Sequence, residues 1–409
     1  MDISLQNATV RETSNGVKIY TLSSEDFEVL RLSFVFGAGT IMQHKPFVAS
    51  ATSNLLSEGS SSMSSQQVAE KLDYYGSYYD VNIDRDYTYI SFCSLTKFVR
   101  PTLEVAAEII LDPIFPQSEI ETYCAKRRQR LEIERRRVEI RAREEFALSL
   151  FGATHPYGVS SPTEAYDDIT REDIVAFHRA HYTAQNCFIV CSGRVGDEEM
   201  AQIEALALAM PQGQSIAPPA LPALEQRAMH RISQAGAVQS SIRIGRKLFT
   251  RSHPDFVGMQ VVATILGGYF GSRLMQSLRE ERGYTYGVVA ATINFAHDGY
   301  MAIATQVGCE VEQDALDVIF AEMERLRTER VEQEELTMVK HIMAGEMMRI
   351  LDGPFGIADV TIENILCQTD NSVIAKNLER IETITPDEIL SLCQRYLDRK
   401  DMICVVVGA

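Results

Sequence analysis

His178 and His181 stand three residues apart in a segment whose apolar spacing predicts a helix, so their imidazoles share one helix face as two ligands of a zinc ion would. Zinc sites take a third protein ligand, and none is evident near them, so an ordinary pair on a surface helix is expected. A second segment, Gly267-Gly268-Tyr269-Phe270-Gly271, is dense enough in glycine to suggest a phosphate-cradling loop. Such a loop is followed by Lys and then Ser or Thr, which are missing, so a close backbone turn is expected instead. The eight cysteines form no C-x-x-C pair, and several lie inside apolar patterns. Reduced core thiols are therefore expected rather than disulfides or a zinc knuckle. Cys187 and Cys191 point to the same side of one expected strand, but four residues of strand hold them beyond disulfide reach.

The elements that must position these residues occur in two copies. The first runs Phe47-Val48-Ala49-Ser50, then Asn54-Leu55-Leu56, then a helix-like segment ending at Gly76 and Tyr79. The second runs Phe256-Val257-Gly258-Met259, then Ile265-Leu266, then a segment ending at Gly283 and Tyr286, with the same spacing of Gly and Tyr. Each copy closes on a helix and a strand: Ile169–Ile174 leads to Cys187–Gly193, and Ile384–Ile389 leads to Met402–Gly408. A repeat of about 200 residues is too long for a solenoid unit and fits two homologous domains. The expected fold class is α+β, each domain a mainly antiparallel sheet packed with helices, the two forming a clamshell. The proline-rich run from Pro211 to Pro222 reads as extended linker, giving domains at 1–210 and 226–409 with a linker at 211–225.

Within the first copy, alternation at Val10–Tyr20 and Phe27–Phe36 predicts strands, with Asn15-Gly16 as a tight turn. Phe47–Leu56, Ser65–Tyr75 and Leu103–Leu111 read as helices and Tyr87–Leu95 as a strand. Ile120–Phe151 reads as one long solvated helix of alternating charge.

At 409 residues, 45% hydrophobic and 23% charged, the chain suits soluble globular domains. A net charge of −17 opposes binding to nucleic acid or an anionic membrane by net attraction. No signal-like start and no spanning apolar run is present in the sequence, so a cytoplasmic protein is expected.

Taken in order, Phe36-Gly37-Ala38-Gly39, Asp112-Pro113-Ile114-Phe115, His155-Pro156-Tyr157-Gly158, Leu266–Leu274 and Leu278–Tyr286 resemble the pitrilysin or insulinase family of zinc metallopeptidases, over nearly the whole chain. That family carries H-x-x-E-H on a helix, two imidazoles on zinc and a Glu that activates its water. The resemblance places Ser50, Ser53 and Asn54 where His, Glu and His belong, and no H-x-x-E-H occurs elsewhere; His44 is off that register. No zinc is assigned to this chain. The third ligand, a Glu of the long helix, would correspond to Glu132 or Glu134.

The resemblance also implies that Arg279 and Tyr286 match a pair that holds the substrate carbonyl as charge builds on its oxygen, a task suited to a guanidinium and a phenol. It implies that Gly267, Gly268 and Gly271 border the substrate chamber. The expected function is thus a non-zinc-binding subunit of a heterodimeric peptidase, lending Arg279 and Tyr286 to a zinc-bearing paralogous partner and acting on peptides. The alternative is a catalytically inactive scaffold or peptide-binding protein of the same fold, paired with itself or free. Proteolysis by this chain alone would need a nucleophile or metal that the sequence does not supply.

Overall fold

The structure is a computed structural model that describes residues 5, 7–214, 216–222 and 229–409. Its first half comprises β1 (Thr9–Glu12), β2 (Lys18–Ser23), β3 (Val29–Phe36), α1 (Val48–Asn54), α2 (Ser65–Tyr74), β4 (Tyr78–Ile83) and β5 (Thr88–Leu95). It continues through α3 (Val99–Leu111), α4 (Gln117–Glu134), α5 (Val138–Phe151), α6 (Arg171–His181), β6 (Cys187–Gly193) and α7 (Asp197–Ala209). The second half comprises β7 (Met229–Ser233), β8 (Gln239–Lys247), α8 (Phe256–Ala263), β9 (Val288–Asn294) and β10 (Gly299–Gly308). It closes with α9 (Glu312–Thr328), α10 (Gln333–Ile350), α11 (Gly353–Leu366), α12 (Ser372–Thr383), α13 (Pro386–Tyr396) and β11 (Ile403–Gly408).

The duplication read from the sequence is a duplication of topology. The first sheet has the order β1-β2-β6-β3-β5-β4, and the second β7-β11-β8-β10-β9, so among the described residues the second repeats β2-β6-β3-β5-β4 of the first. Each has one parallel pair, β2 with β6 and β7 with β11, and antiparallel pairs elsewhere. Local chemistry repeats too. Thr170 and Asp173 cap α6 reciprocally as Thr385 and Glu388 cap α13, each pair satisfying two backbone donors that a helix start leaves open. Gly76 and Gly283 end matching segments at φ 60° and 64°, a left-handed conformation that glycine adopts without the Cβ clash other residues meet.

Each sheet buries one face under helices of its own half. In the first, Ile19, Leu32, Phe34 and Ile90 meet α1, α3 and α6; in the second, Ile242, Ile244 and Ile303 meet α8, α9 and α13. The opposite faces are covered reciprocally. From the first half, α5 crosses onto the second sheet, packing Ala142, Phe146, Leu150 and Phe151 on Val405 and Val407. From the second, α11 crosses onto the first sheet, packing Ala358 and Ile362 on Val35 and Val190. Burial on both faces explains why β6 and β11 read as near-continuous apolar runs rather than alternating ones.

The break that frees α5 corrects the expectation of one helix over Ile120–Phe151. α4 ends at Glu134 and α5 begins at Val138. Between them Arg135 turns its guanidinium onto Glu144, at 2.9 and 3.1 Å, and onto Ser160 and the Ser161 carbonyl, at 2.8 and 2.7 Å. These charge-assisted bonds replace what the interrupted helix gives up and redirect the chain toward the other half. The seam is pinned further by Asp86, which accepts from the Tyr157 hydroxyl at 2.5 Å and from the Ala296 amide at 2.8 Å. Of the proline-rich run, 216–222 forms neither helix nor strand and is exposed for the most part; Ser215 and 223–225 of the expected linker lie outside the described residues. Among the described residues, no helix is long and apolar enough to cross a membrane.

Because α5 belongs to the first half but fills the back of the second sheet, Phe146→Ala is expected to lower stability by about 3–5 kcal/mol. The loss should appear in urea unfolding as one shared transition for both halves. A second half that unfolds at its original midpoint while the first weakens would show that α5 does not couple them.

Candidate functional site

Helix α1 carries Ser50, Ser53 and Asn54, and its polar face is closed on itself. Ser50 Oγ donates to the Phe47 carbonyl at 2.9 Å, Ser53 Oγ to the Ser50 carbonyl at 3.1 Å, and Asn54 Nδ2 to the same carbonyl at 2.8 Å. Two residues of α4 complete the closure. The Tyr123 hydroxyl donates to the Ser50 carbonyl at 3.2 Å, and Arg127 Nη2 donates to Asn54 Oδ1 at 3.1 Å, both across 73 residues of chain. The Arg127 guanidinium also lies 5.3 Å from the centroid of the Tyr123 ring, a cation–π contact. Burial pushes the Tyr123 phenol up from its ordinary value, while Arg127 pulls it back.

This arrangement does not fit zinc. Ser and Asn side chains committed to helix carbonyls are poor zinc ligands, and a guanidinium beside Asn54 repels a second cation. Among the described residues, no three His, Cys, Asp or Glu side chains group closely enough to hold a metal. Glu132 and Glu134 are paired with Arg128 and Arg130 along α4, at 3.1 and 2.8 Å. The α4 residues that reach α1 are instead Tyr123 and Arg127. Sequence reasoning missed both, since Arg127 sits in a Lys-Arg-Arg run that reads as solvated charge.

His44 lies ahead of α1, its Nε2 3.4 Å from Asp173. His178 and His181 are not a surface pair. Both are buried on the inner face of α6, which packs against α1. His178 Nε2 meets the Ile110 carbonyl at 3.0 Å, its ring stacks on Tyr182 at 4.9 Å, and His181 lies 4.4 Å from Phe177. Burial pulls both imidazoles down to about 4, so they stay neutral and serve packing.

In the second half, Arg279 and Tyr286 are brought together. Arg279 lies in a π-helical turn, Met275–Glu280, that follows another, Thr264–Gly268. Its guanidinium carbon stands 4.7 Å from the Phe270 ring centroid and 5.2 Å from that of Tyr286. The local cause is a tightly closed turn: Gly283 and Tyr284 amides donate to the Arg279 and Leu278 carbonyls at 3.0 and 2.9 Å. Thr285 is then anchored inward through Thr305 Oγ1 at 2.9 Å, which leaves its neighbour Tyr286 outward and 92% exposed. Phe270, also exposed, is a site residue that the sequence did not single out.

Of the three glycines, Gly267 packs against β9 so closely that a Cβ would come within 2.7 Å of the Ala290 amide. Cβ atoms at Gly268 and Gly271 would meet Thr264 at 3.2 Å and the Tyr269 ring at 2.9 Å. The loop is therefore held by its own half. So is Arg279, whose turn packs on α9 and β9, whereas α1 packs on α4, α6 and β4.

Residues 168–343 match the sequence profile of the peptidase M16 inactive domain. An uncharacterized zinc protease of Streptomyces coelicolor is 22% identical over 377 residues, 86% of this chain and 79% of that protein. The crystal structure of a peptidase M16 inactive domain from Pseudomonas fluorescens superposes with TM-score 0.91 at 24% identity, covering 98% of each chain. A putative M16-like peptidase from Alicyclobacillus acidocaldarius superposes with TM-score 0.80 at 16% identity over 100% of both. Profile and fold together define a peptidase M16 architecture. The profile over residues 168–343 and the fold over the whole chain are consistent with a zinc-less relative of the pitrilysin family, one whose α1 lacks H-x-x-E-H.

Two outcomes follow from this geometry. Ser50→His, Ser53→Glu and Asn54→His together should leave zinc affinity roughly 100-fold below that of the same protein also carrying Arg127→Glu, because a half-buried cation is exchanged for an anion next to the metal. Zinc titration against a chromophoric chelator reads this, and equal affinities would remove Arg127 from the ligand position. For His178 and His181, the folded pKa lies below the ordinary value of 6.5, so the unfolded chain binds more protons between about 6.5 and 4. Stability is full above that window and is lost as pH falls through it, by up to about 1.4 kcal/mol per pH unit for each imidazole. A lower urea midpoint at pH 5 than at pH 7 is expected, with a shallower drop in His178→Gln; identical midpoints at both pH values would contradict it.

Proposed function

We propose that the chain is the non-zinc-binding subunit of a heterodimeric peptidase, presenting Arg279 and Tyr286 to a zinc site carried by a paralogous partner. The observation that carries this reading is the contrast between the two halves. The α1 face is sealed by internal hydrogen bonds and by Arg127, whereas Tyr286 is almost wholly exposed beside an Arg279 held ready between two rings. A phenol and a guanidinium in that position are donors for a carbonyl oxygen on another surface. Their bonds strengthen as negative charge grows there, which is the differential binding that lowers a barrier. Since α1 of this chain carries no H-x-x-E-H, the metal helix that Arg279 would meet in this reading is the partner's. The substrates fitting this reading are peptides, recognised at the carbonyl that undergoes attack.

Peptide hydrolysis by a mixture with a partner bearing intact H-x-x-E-H is the test. Activity is expected only in the mixture, and Arg279→Ala in this chain should lower kcat roughly 100-fold or more without changing the partner's zinc content. Tyr286→Phe should lower kcat by a smaller factor. Full activity with Arg279→Ala would defeat the subunit reading. An inert mixture with no complex formed would favour the scaffold or peptide-binding reading.

A further inference from the structure

Where α5 crosses onto the second sheet, a cavity of about 210 Å3 opens in the seam between the halves. Three arginines line it from three different elements: Arg85 from the β4–β5 turn, Arg143 from α5 and Arg243 from β8. Among the described residues, none of the three guanidinium groups has an ion-pair or hydrogen-bond partner in the chain, and Arg243 Nε is buried with none. The carboxylates nearby are already engaged. Glu144, also in the lining, accepts Arg135 through both oxygens; Asp86 accepts Tyr157 and Ala296; and Glu139 pairs with Arg137. Tyr300 adds a hydroxyl that likewise has no partner among the described residues.

Like charges gathered at one cavity repel each other, and the half-buried Arg85 and Arg243 lose hydration there as well, while Arg143 reaches in from an exposed position. Burial indeed pulls the Arg85 and Arg243 guanidiniums below their ordinary range, and Arg143 adds like-charge repulsion to each. A chain of net charge −17 with carboxylates to spare has nonetheless left these three unmatched. We propose that the cavity is a binding site for a dianion of the phosphate type, either free phosphate or a small phosphate monoester. A guanidinium fork matches two oxygens of a tetrahedral anion, and three forks with a phenol can saturate four oxygens. The volume suits it, since a single water needs only roughly 10–15 Å3. The bound ion would tie α5 and the β4–β5 turn of the first half to β8 of the second. The site is separate from α1 and from Arg279, so it stands or falls independently of the peptidase reading.

Titration calorimetry of the full chain with inorganic phosphate, and separately with phosphoethanolamine, both at constant ionic strength in chloride, tests the site. One equivalent is expected to bind, with a rise in thermal midpoint that chloride does not produce. Tighter binding of phosphate would identify the free ion, and tighter binding of phosphoethanolamine a monoester. Arg243→Gln should weaken binding at least tenfold. Arg143→Gln, at an exposed position where folding is not at risk, should do the same, and Arg128→Gln on the surface of α4 should not. No heat and no shift with either ligand, or an undiminished response in both Arg143→Gln and Arg243→Gln, would overturn the proposal.

Discussion

Each half of this protein gives one helix to the other. The apolar face of α5 is left without a partner in the first half and the back of the second sheet is left bare without α5; α11 and the first sheet stand in the same relation. A sheet with both faces apolar is stable only when both are covered, because exposed Val and Ile side chains retain their hydration cost. Neither half can therefore satisfy its own sheet, and the two are obliged to close on each other. The break at Arg135–Arg137 is what permits this, and the Arg135–Glu144 pair compensates the lost helical turn.

That closure sets where chemistry can occur. It places the seam cavity, with its three unmatched guanidiniums, at the crossing of α5. It also keeps α1 and Arg279 in separate halves, each held by its own neighbours. Charge distribution follows the same division. On α1 the polar face at Asn54 is met by a fixed cation, Arg127, held by Asn54 and Tyr123. Around Arg279 the Nε pairs with Glu280 at 3.5 Å, and the guanidinium lies against the faces of Phe270 and Tyr286.

The two halves have thus diverged by different means from one topology. In the first, the polar face of α1 was turned inward onto helix carbonyls. In the second, the matching helix α8 is apolar and passes into a π-helical turn whose Gly267 permits backbone contact with β9. Such π-helical turns re-aim side chains at a helix end, which here brings Arg279 between Phe270 and Tyr286.

The sequence by itself determined the duplication, the strands at Phe27–Phe36, Tyr87–Leu95, Cys187–Gly193 and Met402–Gly408, the tight turn at Asn15-Gly16 and the lack of any H-x-x-E-H. These rest on local rules, namely periodicity, repeat spacing and turn chemistry, which are written residue by residue. What it did not determine depended on contacts between distant segments. His178 and His181 read as surface residues until α6 was seen to turn them against Phe177 and Tyr182. Arg127 read as solvated charge until α4 was laid across α1, and Arg85, Arg143 and Arg243 meet only because the halves exchange helices. A charged or imidazole side chain carries no mark in sequence of whether it faces water or a neighbour, and only the packing of the two halves decides that.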